Sequence, residues 1–361
     1  MQTIAFYLPQ FHETAENNKW WGKGFTEWTN VKKARPMFKN HMQPKIPQNE
    51  NYYDLLDKST IEWQTDLLLN SGIDGLCYYH YWFKDGRQIL EKPAENLLEW
   101  KDIKQPFCFS WANESWIRTW SNVEGNDWNE SADKLKPNKG NEDNGILLFQ
   151  DYGNEDDWRQ HIEYLIPFFK DERYMRYQGR PIFIFYKPEK IDCLTEMLRF
   201  WNNEVEATGL PRPYYLGTNC DIGTNELLDG VLQYEPSYTL QNDEPVRYWF
   251  MESLSTIRKK CGMNGLRKYD YNILLKRIVD RKRSDNVFPG IFVGFDDTPR
   301  RGRNGTVIIG RNPHKFSEAL HQLKKKTPEG LLFVTAWNEW AEGAYLEPDE
   351  EFGDAFLDAT L

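Results

Sequence analysis

The sequence predicts a (β/α)8 barrel of the TIM type, formed as one domain over residues 1–361 and carrying long loop insertions after strands 3 and 6. Three observations carry this prediction. Eight short apolar runs rich in aromatic and β-branched residues recur along the chain, and segments of helical period separate them. Nearly every run also ends in a carboxylate, an amide, a histidine or an aromatic ring, and the C-terminal ends of the strands are where such barrels place their chemistry.

In chain order the runs are residues 3–8, 75–81, 107–112, 182–186, 214–217, 231–234, 291–295 and 331–336. Between the fourth and fifth, Ile191, Leu194, Leu198, Trp201 and Val205 step by three and four, which puts them on one face of a helix ending near Gly209. That is a βαβ crossover. Similar patterns predict helices over 61–70, 87–100, 156–169 and 313–325, the last with Phe316, Leu320 and Leu323 on one face. The polar stretch 115–155, rich in Asn, Asp, Glu and Gly, predicts a long loop after the third strand, and 238–288 predicts helical segments after the sixth. Only 349–361 remain for an eighth helix. There is no internal repeat and no linker-like stretch, so one domain is expected rather than two.

With 40% hydrophobic and 15% aromatic residues the chain has ample apolar surface to offset the entropy of ordering. Its 45 Lys and Arg against 55 Asp and Glu give a net charge of −10, which argues against a nonspecific hold on nucleic acid or anionic membranes. The basic run Lys324 to Lys326 reads as a solvated helix face. No stretch approaches the roughly 18 apolar residues of a membrane span, and the start of the chain lacks a signal-like pattern. The expectation is a cytoplasmic location as written, or a periplasmic or extracellular one if a signal was trimmed. Five cysteines without a C-x-x-C fit reduced thiols.

The strand ends suggest a carbohydrate site, because aromatic faces stack on the apolar faces of sugar rings while carboxylates and amides bind hydroxyls. The sharpest constellation is Asn338-Glu339-Trp340-Ala341-Glu342, preceded by Trp337. If it curls into a helical turn, Glu339 and Glu342 fall on one side, and their repulsion raises at least one pKa towards use as an acid. Glycosidic cleavage needs such a donor and base. The structural alternative is that one glutamate caps a helix or pairs with an arginine such as Arg300.

Glu114, in Trp111-Ala112-Asn113-Glu114, and Glu235, after Tyr234, are further candidates for acid–base work or substrate positioning. Tyr7, His12, His80 and Trp82 are candidate sugar contacts at the ends of the first two strands, although a buried structural histidine is nearly as good a reading of His12 and His80. Asp296, Asp297, Arg300 and Arg301 fit either a charged or heavily hydroxylated sugar or a network bracing the loop. Motifs for nucleotide phosphates, dinucleotides, zinc proteases and serine hydrolases are missing, as is a D-x-D, and the six histidines are dispersed. Neither a metal nor a cofactor is expected.

The segments Phe6-Tyr7-Leu8-Pro9-Gln10-Phe11-His12, Gly24-Phe25-Thr26-Glu27-Trp28, Tyr78-Tyr79-His80-Tyr81-Trp82-Phe83, Phe295-Asp296-Asp297-Thr298-Pro299-Arg300-Arg301 and Trp337-Asn338-Glu339-Trp340-Ala341-Glu342-Gly343 closely resemble the WbsX-like family across nearly the whole chain. That family carries a glycosyltransferase label because its members occur among bacterial O-antigen and capsule genes, yet it is similar to the family 99 endo-α-mannosidases, which are (β/α)8 barrels. The resemblance implies that Glu339 and Glu342 are catalytic. Glu339 would act as base on the substrate 2-hydroxyl, which attacks the anomeric carbon. Glu342 would protonate the leaving group and then activate water, with retention of configuration. The substrate implied is a bacterial or mannan-like polysaccharide cut internally. A glycosyltransferase using the same site and a non-catalytic sugar-binding barrel are the rival expectations.

Overall fold

A computed structural model describes residues 1–117 and 146–361; most of the loop expected at 115–155 therefore lies outside the described residues. Eight parallel strands follow the chain: β1 Gln2–Tyr7, β2 Gly75–Trp82, β3 Phe107–Trp111, β4 Arg180–Phe185, β5 Tyr214–Thr218, β6 Gly230–Leu232, β7 in two pieces, and β8 Leu331–Thr335. Each pairs with the next, and β1 pairs with β8 through Thr3 and Leu332. The two pieces of β7, Val287–Phe288 and Gly290–Phe292, explain how the sheet curls almost closed. The first pairs with β6 through Val231 and Val287, and the second with β8 through Ile291 and Val334. Pro289 between them has no N–H to donate, so the strand can change neighbours there without orphaning a donor. The Phe288 carbonyl accepts from Gln233 and the Pro289 carbonyl from Phe333, on opposite sides. The seventh strand thus starts four residues before the apolar run that announced it.

The expected helices wrap the sheet: α1 Lys58–Leu69, α2 Lys92–Glu99, α3 Glu155–Lys170, α4 Leu194–Ala207, α5 Pro245–Lys260, α6 Tyr271–Asp280, α7 Pro313–Lys326 and the single turn α8 Ala355–Asp358. The four-to-three stepping of α4 buries Leu194, Met197, Leu198, Trp201 and Val205, each worth about 1.5–3 kcal/mol of transfer free energy. Asn154 starts α3 by accepting from its first turn while Asp157 reaches back to the Asn154 N–H. Helix α2 starts later than the predicted 87, because Gln88–Ile89 form a short antiparallel strand against Tyr81 and Trp82. In the insertion after β6, Arg267–Asp270 pairs in parallel with Thr306–Ile309 outside the barrel and fixes α5 and α6 beside the barrel mouth. Among the described residues no helix is long and apolar enough to cross a membrane.

Candidate active site

The C-terminal strand ends surround a cavity of about 550 Å³. Tyrosines from three strands line it: Tyr79 and Tyr81 from β2, Tyr186 just past β4, and Tyr234 just past β6. The Tyr79 and Tyr234 hydroxyls lie 2.8 Å apart, and Tyr186 meets Tyr234 edge-on with centroids 5.7 Å apart. The side facing the insertion carries Tyr248 and Glu252 from α5 together with Arg267, Asp297, Arg301 and Thr306.

The paired glutamates come from a tight hairpin after β8, in which Asn338–Glu339 pairs with Ala344–Tyr345 and Trp340–Glu342 form one 3₁₀ turn. Glu339 ends the first strand of the hairpin and Glu342 ends the turn, and both side chains reach the same Arg300 guanidinium. Gly343 closes the turn at φ 59°, and a Cβ there would sit 3.0 Å from the Asp296 side chain, so both conformation and space call for glycine.

Both carboxylates meet one guanidinium. Arg300 donates from Nη1 to Glu342 at 2.5 Å, from Nη2 to Glu339 at 3.3 Å, and from Nε to Glu27 at 2.9 Å. Three carboxylates converge on one cation, with Glu27 and Glu339 buried and Arg300 largely so. Burial pushes the Glu339 carboxyl up to about 8; the Glu342 charge adds to the push and Arg300 offsets part of it. Glu339 therefore holds its proton to a higher pH than an ordinary carboxyl. Burial also lifts Asp297 to about 6, against the pull of Arg301.

A polar layer beneath the hairpin fixes its position. Asn338 accepts from the Leu8 N–H at 2.7 Å and donates to the Leu8 carbonyl at 3.0 Å, locking the end of β8 to the end of β1. Glu347 accepts from Trp340 Nε1 at 2.6 Å, the Tyr53 hydroxyl at 2.8 Å and Gln64 Nε2 at 2.7 Å, and burial lifts its pKa to about 7.

A family model described as "Glycosyltransferase WbsX" matches residues 3–360. The chain belongs to the WbsX family. Two curated relatives, both named uncharacterized protein WxcX and from Xanthomonas campestris pv. campestris strains B100 and ATCC 33913, are 30% identical over 99% of the chain. The chain spans 48% of their length. A GH99 endo-alpha-mannosidase from Bacteroides thetaiotaomicron, solved with Bis-Tris-propane, matches with TM-score 0.54 and 16% identity over 99% of this chain and 94% of its own. A protein described as glycoside hydrolase-like matches with TM-score 0.55 and 12% identity over 99% and 92%. At these identities the likeness establishes a shared fold.

Of the residues that the sequence singled out, this WbsX barrel brings Glu339, Glu342, Glu114, Tyr234 and Arg300 to the cavity, with Asp297 and Arg301. Glu114 faces it with the Lys190 ammonium 3.7 Å away. The remaining candidates are absent from the described lining. Tyr7 donates to Gln64 on α1 at 2.8 Å, outside the barrel. His80 meets His161 of α3 at 2.8 Å, and burial lowers it to about 3. Trp82 stacks on His161 at 4.5 Å, while Trp111 donates to the Trp82 carbonyl. His12 is buried and lowered to about 4 by that burial. Asn113 clasps the Lys187 backbone, accepting from its N–H and donating to its carbonyl. Glu235 is enclosed with Arg281 at 2.8 Å, and Asp296 accepts from His41 and Gln43. Trp337, Asn338 and Trp340 are buried in the layer under the hairpin, where Trp340 stacks on Tyr345 at 3.8 Å.

Glu27, Tyr79, Tyr81, Tyr186 and the Glu252–Arg267 pair belong to the site or its border without being among the residues expected there. The tyrosines were findable. In β2 alternate side chains face opposite ways, so choosing His80 and Trp82 selects the outer face and skips Tyr79 and Tyr81. Glu27 carried no local signal, since it meets Arg300 across 273 residues of chain.

Proposed function

We propose that this WbsX-family chain is a glycoside hydrolase that cuts within a bacterial or mannan-like polysaccharide and retains anomeric configuration through the substrate 2-hydroxyl. The observation that carries the reading is a pair of carboxyls, three residues apart at a tight hairpin, that converge on Arg300 and line a tyrosine-walled cavity, with burial raising the pKa of Glu339. One ionised and one protonated carboxyl is the inventory that acid–base cleavage needs. Glu339 acts on the 2-hydroxyl, for which a raised pKa makes its carboxylate a stronger base than an ordinary one, and Glu342 serves the leaving group. The proton moves from Glu339 to Glu342 as the reactive arrangement forms, so the two microstates belong to one titrating pair. Neither glutamate has to bond to the sugar when the 2-hydroxyl supplies the nucleophile.

The family's description favours a second reading, a glycosyltransferase. The charge of the cavity supports the hydrolase instead. Among the described lining residues, even with Glu339 set aside, Glu114, Glu252, Asp297 and Glu342 outnumber Arg267, Arg300 and Arg301, and each of those arginines is matched by a carboxylate. A sugar-nucleotide diphosphate entering there would meet net repulsion. The test is to incubate the protein with mannans and bacterial surface polysaccharides and record proton NMR of new reducing ends before mutarotation. Retained configuration, with no turnover of a 2-deoxy substrate, is expected. Inverted product would overturn the mechanism, and thermal stabilisation by a sugar nucleotide would favour the transferase.

A further inference from the structure

Arg300 is the hub of the site, and its guanidinium is planar with fixed donor directions. Each of its three nitrogens serves a different carboxylate: Nη1 serves Glu342, Nη2 serves Glu339 and Nε serves Glu27. Fixing the Nε direction therefore fixes where the other two point. Glu27 is suited to that task because it is buried and stands at the start of the short helix Glu27–Lys33. Trp28 anchors this helix by donating to the Tyr53 carbonyl at 2.8 Å and packing on Phe11 at 4.6 Å. The Glu27 N–H donates to the Gln10 carbonyl at 3.1 Å, and Asn30 donates to its carboxylate at 3.3 Å.

We propose that Glu27 is a positioning residue for the Glu339–Glu342 pair, holding Arg300 in the orientation in which its two terminal nitrogens reach both carboxylates. The proposal rests on the acid–base reading of that pair. Glu27 does not line the described cavity, so it acts through Arg300 and by its charge. The groups that act electrostatically on Glu339 are Glu342, Arg300 and Glu27; Tyr79 and Tyr81 of β2, Tyr186 and Tyr234 are coupled to it in turn. Asp297 faces Glu342 from the other side. Without the Glu27 charge Arg300 is shared by two carboxylates instead of three, which draws it closer to them and makes the Glu339 proton easier to lose.

The test compares wild type with Glu27→Gln, which keeps the shape and removes the charge, and with Glu27→Ala, which frees Nε. For Glu27→Gln we expect kcat to fall about tenfold with KM within about twofold, and the alkaline limb of activity to move to lower pH. For Glu27→Ala the expected fall in kcat is about a hundredfold. In parallel, carbon NMR of protein labelled at glutamate carboxyls follows Glu339, identified as the resonance lost in Glu339→Gln. It should titrate near pH 8 in wild type and lower in Glu27→Gln. A purely structural Glu27 would change thermal stability and leave both the limb and the carboxyl titration in place, and that result would overturn the proposal. If wild type cleaves no glycan, the hydrolase reading fails while the carboxyl titration still decides the role of Glu27.

Discussion

Raising pH above 8 should depress turnover by removing the proton that burial holds on Glu339, the one that the proposed acid–base pair uses. Glu339 stands at about 8 against an ordinary 4.5, a difference on the order of 5 kcal/mol between its two protonation states at about 1.36 kcal/mol per unit. One unit above the midpoint about a tenth of the molecules keep the proton, so kcat/KM at pH 9 should be about a tenth of its plateau and at pH 10 about a hundredth. This holds whichever glutamate carries the proton in the reactive state, because the limb reports the pair. The same shift has a consequence for the fold. A carboxyl whose folded pKa is raised contributes stability below pH 4.5 that is lost as pH rises to 8, so Glu339→Gln should melt higher than wild type at pH 9 and gain least at pH 4. The assay is initial rates on the polysaccharide found by the NMR screen, from pH 5 to 10, beside thermal melts across the same range. Activity that rises through pH 8, or stays level to pH 10, would refute the proposed role of that proton.

Glu339→Gln and Glu342→Gln should each lower kcat by about 10² to 10⁴ while circular dichroism stays that of wild type. Glu114→Gln should raise KM and leave measurable turnover, because Glu114 lines the cavity with Lys190 3.7 Å away and is not one of the three carboxylates held by Arg300. The two faces of β2 should separate cleanly in steady-state kinetics. Tyr79→Phe removes a hydroxyl from the cavity and raises KM, whereas Trp82→Phe, outside the barrel on His161, leaves KM within about twofold and lowers the melting temperature. Exhaustive chelation should leave the rate unchanged, since the guanidinium of Arg300 already fills the point where Glu27, Glu339 and Glu342 converge.

The barrel was legible in the sequence because its strands are buried on both faces and read as continuous apolar runs, while its helices keep a one-sided stripe. Helix α4, with Trp201 and Leu198 on its buried face, could be placed from spacing alone. The apolar run 291–295 announced the seventh strand, but its first piece, Val287–Phe288, and the change of neighbour at Pro289 were not legible, since they lie within three-dimensional pairing and have no hydrophobic period. Within the site, Glu339 and Glu342 were legible because they lie three residues apart in one short hairpin. What local sequence left open is which face of each strand looks inward: His80, Trp82, Tyr7 and Trp111 have the chemistry of sugar contacts, but they face the surrounding layer of helices and loops. Only the tertiary structure decided that Glu27, 273 residues from Arg300, completes the cluster, because the barrel brings the segment after β1 against the segment after β7. Sequence determines chemistry that lies within one short hairpin; charge balance among distant carboxylates depends on how the nearly closed sheet packs them.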